Sequence, residues 1–171
     1  MEMLSDKIRI VSFPERERQY PKRHMHFYRS YAFFVKKSLR KSLFQQFIRW
    51  LLKRENIDRH LIKDVQISVL PLQKENGNSL AGKWIEHGGI SVFPKSLRFY
   101  RRLSARHGTA IARAYVKGRA WATLIHEILH AKYFSDEARV RSLTERYFGI
   151  YARNPKTEDI ESVVFKILFK Q

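Results

Sequence analysis

His126 and His130 stand four residues apart, with Glu127 directly after the first, in the stretch TLIHEILH at 123–130. Residues at this spacing share one face of a helix, one turn above the other. Both imidazoles can then reach a single zinc ion, and Glu127 stands beside them where it can take a proton from a water on that ion. Leu124, Ile125, Ile128 and Leu129 fill the remaining positions, so the helix can be buried against a core. A bare pattern of this length arises by chance in roughly one or two chains per hundred. The apolar helical setting makes that coincidence rarer.

A catalytic zinc site takes three protein ligands and keeps one position for water or substrate. The chain has no cysteine, and no histidine follows His130, so the third ligand is expected among Asp136, Glu137, Glu145, Glu158, Asp159 and Glu161. Glu137 is favoured. A short loop after His130 would return the next helix beside the first, and its opening turn would present a carboxylate to the metal. Glu137 reaches further than Asp136, and Glu145 is the next candidate; an acid in a first turn also suits the helix dipole without any metal. Arg141 lies four residues after Glu137 on the same face and can orient its carboxylate. A developing oxyanion needs a further donor. Tyr147, Tyr151, His107 and His87 are the candidates, and the sequence does not choose among them.

These residues need elements to hold them. From about residue 26 to 56 there is no Gly or Pro, and apolar residues recur at steps of three and four. The pattern predicts a long backing helix, broken at most once. After Asp58 the period shortens to two. Segments 65–72, 80–86 and 90–93 read as three short strands with turns at 74–79 and 87–89, giving a mixed or antiparallel sheet. Strand 90–93 could align an extended peptide by edge pairing if it borders the cleft. Residues 8–13 read as a short strand or arm. Residues 95–108 form a basic, aromatic helix closing at Gly108, its arginines in solvent and its aromatics turned inward. The motif helix starts between Thr109 and Arg119 and runs to about Tyr133. A second helix follows, capped by Ser135 and ending near Gly149, and a last amphipathic run spans 157–169 around Ile160, Val163, Val164, Ile167 and Leu168.

The chain of 171 residues carries a net charge of +18, unevenly spread. Residues 1–64 hold sixteen Lys and Arg against seven acids, residues 65–120 ten against two, and residues 121–171 eight against seven. The motif region is thus nearly neutral, while seventeen of the net charges precede it. Basic surfaces of this size attract polyanions. That motivates a nucleic-acid partner through residues 1–120, or a nucleic-acid-binding protein on a degenerate metallopeptidase scaffold. No secretory signal or membrane-spanning apolar run is present, and cysteine is absent, so a cytoplasmic, soluble protein is expected.

A backing helix, a small sheet, the motif helix TLIHEILHAKY and a second helix with an early glutamate, SDEARVRSLTERY, resemble a gluzincin catalytic core. More narrowly, the chain is similar to the minigluzincins of archaea and their viruses. The resemblance covers roughly 26–150, and 123–147 is its motif-specific part. It implies an α+β, zincin-like fold and a zinc metallopeptidase with Zn2+ as cofactor and a peptide or protein as substrate. His126, His130 and Glu137 would be the ligands and Glu127 the general base. Some proteins with this core are latent, which would give the C-terminal segment 151–171 a place over the cleft. The arm at 1–25 and the stretch at 95–108, read as an insert, exceed what a minimal scaffold needs. The spacing from His130 to Glu137 is shorter than in large gluzincins.

Overall fold

A computed structural model of the chain describes residues 3–72, 77, 79–154, 156 and 162–169. Among them are seven helices and one four-stranded sheet, an α+β arrangement. The strands are Ile8–Val11 (β1), Asp64–Ser68 (β2), Gly82–Ile85 (β3) and Gly89–Val92 (β4), in the order β1-β2-β4-β3. β1, β2 and β4 are parallel, and β3 runs antiparallel to β4. The fourth strand, beyond the three expected, comes from the N-terminal arm. Ile8 is buried there and pairs with Val65, so the apolar alternation of this short piece is satisfied by the sheet. The turn expected at 74–79 lies almost wholly outside the described residues.

The helix expected over 26–56 is two helices, Lys22–Leu39 (α2) and Ser42–Glu55 (α3), preceded by a short turn of helix at Pro14–Glu17 (α1). The break falls at Arg40–Lys41, where no Gly or Pro marks it. Side chains supply the reason. Gln45 donates to the carbonyl of Leu39 at 2.7 Å, and the Trp121 indole N–H donates to that of Ser38 at 3.1 Å. The carbonyls that a continuous helix would have satisfied are thus capped from outside. Asn56, in the left-handed region at φ 54, closes α3.

Helices Leu97–His107 (α4), Thr109–Tyr133 (α5), Glu137–Ala152 (α6) and Ser162–Phe169 (α7) complete the fold. α5 is the axis of the molecule, touching α2, α3, α4, α6, α7, β3 and β4. Trp121, Leu124, Ile125, Ile128 and Leu129 on it are all essentially inaccessible. On α4, Arg98, Arg101, Arg102 and Arg106 are exposed. Phe99 and Tyr100 turn inward, against Tyr115 at 5.3 Å and Phe27 at 5.2 Å between ring centroids. α6 runs past Gly149, which is buried and holds no positive φ, so it serves packing and not helix termination. α7 buries Val164 completely and packs the tilted rings of Phe165 and Phe169 against Phe148. The Ile160 expected in this run lies outside the described residues. No helix among the described residues is long and apolar enough to cross a membrane.

Candidate metal centre

The turn between α5 and α6 brings the expected ligands together. α5 ends at Tyr133, and Phe134 takes φ 48 and ψ −116, a strained conformation for a residue with a side chain. Asp136, one residue later than the expected Ser135, caps α6 by accepting from the Arg139 N–H at 3.2 Å. Glu137 is therefore the first residue of α6. Helical side chains lean toward the N-terminus, so its carboxylate projects back over the end of α5.

Its oxygens lie 3.4 Å from His126 Nε2 and 3.4 Å from His130 Nε2, and the two Nε2 atoms are 3.1 Å apart. Donor atoms on a tetrahedral ion with bonds of ~2.0–2.1 Å are separated by roughly 3.3 Å. Tautomers can be assigned from the partners on the far side of each ring. His130 Nδ1 is 2.5 Å from the Phe134 carbonyl, which can only accept, so Nδ1 carries the proton. His126 Nδ1 is 3.4 Å from Thr144 Oγ1, whose own hydrogen is spent on the Val140 carbonyl at 2.7 Å. In their neutral form both rings therefore present Nε2 lone pairs to one point, together with a carboxylate. This donor set suits a divalent ion with imidazole and carboxylate preference. The three residues are close enough to hold one metal ion. Arg141 Nε donates to Glu137 Oε1 at 2.9 Å.

Glu127 is buried beside this point. Burial pushes its carboxyl up to about 7, the nearby charge of Glu137 adds to the rise, and the backbone N–H of Trp84 on β3 pulls it partly back. β3 can approach so closely because residue 82 is glycine. A Cβ there would sit 2.5 Å from Thr123 Cγ2 and 2.9 Å from Glu127 Oε1. The metal residues, Glu127 and β3 all border one cleft of about 1270 Å³. β4, expected as a pairing edge, is enclosed between β2 and β3. β3 is the outer strand on the cleft side instead, because the chain crosses from β2 to β3 before returning through β4.

The other expected residues are dispersed. His87 lines the cleft, and Glu145 borders it without joining the cluster. Tyr147 and Tyr151 do not reach it. The Tyr147 hydroxyl donates to Glu55 of α3 at the back of the helix pair, and Tyr151 packs on Trp121 and Phe44. α6 brings Glu137 to α5 at its start, and roughly three and four turns later positions 147 and 151 face the core. His107 closes α4 away from the cleft lining. Residues that sequence reasoning missed include Thr144, Phe134, Gly82 and Trp84. Thr144, two turns after Glu137, carries a helical signal; the other three act through backbone or through having no side chain, which leaves no signal in residue type.

No protein-family model, curated protein or solved structure shows significant similarity to this chain.

Proposed function

We propose that this protein is a zinc-dependent metallopeptidase of the gluzincin kind. The observation that carries the reading is the convergence of His126 Nε2, His130 Nε2 and the Glu137 carboxylate at 3.1–3.4 Å, with both Nδ1 atoms committed elsewhere. Zinc in such a set supplies a Lewis acid that polarises a carbonyl and lowers the pKa of a water. Glu127, adjacent in sequence and buried against β3, takes the proton from the attacking water and delivers it to the leaving amine. The Trp84 N–H holds that carboxylate in place, and Arg141 holds Glu137. Among the described residues no strand lies beyond β3, whose edge is thus open to an extended peptide, which suits a protein or peptide substrate better than a small ester.

The test is metal analysis and peptide cleavage on the purified chain and on Glu127→Ala. One zinc per chain in both, with cleavage by the first alone, supports the reading. Absence of bound zinc after zinc supplementation, or equal cleavage by both, rejects it. The aromatics of α4, Phe99 and Tyr100, are half-buried and engaged with Tyr115 and Phe27, so the nucleic-acid alternative has no observation in its favour comparable to the convergence of the metal-ligand candidates.

A further inference from the structure

Arg119 is a buried arginine with no acid beside it among the described residues. It lies on α5 seven residues before His126, on the same stripe as Thr123, His126 and His130, and it borders the same cleft. Its guanidinium donates to the carbonyls of Phe93 at 2.5 Å and Leu80 at 3.3 Å, and to the hydroxyls of Tyr31 and Tyr115. All four acceptors are neutral. They fix the group's position and leave its charge uncompensated.

A second cation stands next to it. Lys95, half-buried, borders the cleft with its Nζ 4.8 Å from the Phe99 ring. Burial and then the Arg119 charge both push the Lys95 ammonium below its ordinary value, which marks the two groups as neighbours in a poorly solvated place. Among the described residues no carboxylate lies within ion-pair distance of either group. Buried charges in proteins are ordinarily paired, because an isolated one is costly to desolvate. Two cations in the wall of one cleft are thus left without a counter-charge by the described residues.

We propose that Arg119 and Lys95 form an anion subsite of the cleft, which takes a carboxylate of the peptide substrate and so sets its specificity. The ligand being a peptide rests on the metallopeptidase reading. Seven residues of α5 separate the subsite from His126 by about 10.5 Å along the helix, the length of roughly three extended peptide residues. The carboxylate is either an Asp or Glu side chain some three residues from the bond cut, or the end of the peptide chain. The apolar residues Leu80, Ala81 and Ala122 also line the cleft.

The test uses the full chain with Glu127→Gln, supplied with zinc, so that bound peptide is held uncut. Fluorescence anisotropy compares three labelled six-residue peptides: one with an internal Glu and an amidated end, one with Gln and an amidated end, and one with Gln and a free C-terminus. One of the two carboxylate peptides binds about ten- to a hundredfold tighter than the neutral one, and which of them does so identifies the source of the charge. The advantage falls at least threefold when Lys95→Met is added; the substitution keeps the backbone bond of residue 95 to the buried Tyr31 hydroxyl, and thermal melting verifies that the variant folds. Equal binding of the three peptides, no binding of any, or an advantage unchanged by Lys95→Met overturns the proposal. Zinc content of the same samples separates the two readings. Zinc-loaded protein without the preference removes the subsite alone, and zinc-free protein that keeps the preference removes the peptidase alone.

Discussion

The Tyr133 hydroxyl on α5 donates to the Glu55 carboxylate on α3 at 2.6 Å, three residues beyond His130. Lys132 Nζ donates to the same carboxylate at 3.0 Å and to the Glu55 carbonyl at 2.6 Å, and the Tyr147 hydroxyl reaches it from α6. One buried acid thus ties together the last turn of α5 and the middle of α6, the two helices that bear the metal residues. Replacing Glu55 by Ala leaves the buried Tyr147 hydroxyl and the half-buried Tyr133 hydroxyl without this acceptor and is expected to cost about 1–3 kcal/mol in a denaturant titration. A loss under about 0.5 kcal/mol, the range of an ordinary surface change, would show that the three donors find water instead.

The same residue makes a pH prediction. Burial alone would raise the Glu55 carboxyl, but the Tyr133, Tyr147 and Lys132 donors outweigh it and leave it below the ordinary 4.5. A carboxylate with a depressed folded-state pKa contributes stability that is complete above its unfolded pKa and is lost as pH falls through the folded one. The stability gap between wild type and Glu55→Gln is therefore full at neutral pH and narrows below about pH 4. A gap that is constant or widens into acid would contradict the assignment.

Zinc titration monitored by thermal melting reads the metal cluster directly. At a free concentration a hundred times Kd, binding adds about 2.7 kcal/mol, a rise of roughly 5–10 °C for a chain of this size. His126→Ala or His130→Ala is expected to abolish the rise. Thr144→Val removes the partner of His126 Nδ1 while keeping the side-chain shape, and is expected to weaken zinc binding about ten- to a hundredfold. Full zinc affinity in Thr144→Val would mean that the imidazole is oriented by packing alone.

Gly82→Ala places a methyl group 2.5 Å from Thr123 Cγ2, closer than atoms can approach, so β3 or α5 must shift. Overpacking of this kind costs about 1–3 kcal/mol, and cleavage is expected to fall more than stability because Glu127 and Trp84 are the groups displaced. Thr123→Ser removes the clashing methyl and should restore part of both. No rescue in the double variant would place the clash elsewhere.

Removal of α7 tests whether the C-terminal run is a cover or a piece of core. Val164 is fully buried and contributes ~1.5–3 kcal/mol. Leu168 and Val164 also pack over Gly118 of α5. Ile167, Leu168 and Phe169 do border the cleft, but the helix is anchored through α5 and Phe148. Deletion after Asn154 is expected to lower the melting temperature by about 5–10 °C without raising activity. Unchanged melting with increased cleavage would mark it as a removable cover.

The convergence of His126, His130 and Glu137 was legible because helical spacing converts sequence distance into a shared face, and one short turn connects the two helices concerned. The α+β class followed from the change of period near Asp58. The split of the long helix was not legible, since its capping donors, Gln45 and the Trp121 indole, declare their partners only in three dimensions. β1 was seen as an apolar fragment, but its place beside β2 depends on a pairing 57 residues away in sequence, Ile8 with Val65. Tyr147 misled because being near Glu137 in sequence on α6 does not mean facing the same way.

α5 runs unbroken for 25 residues, and Arg119, Thr123, His126 and His130 all sit on its one stripe. A single residue inserted between Arg119 and His126 would turn one end against the other by about 100°, carrying the cation out of the cleft or the imidazoles into the core. Loops elsewhere can grow or shrink over time at little cost. A change of one residue in this interval would break the alignment of the four side chains, so if the proposed site is used, the interval from 119 to 130 is expected to be the stretch where gaps do not fall among proteins descended from a common ancestor with this one.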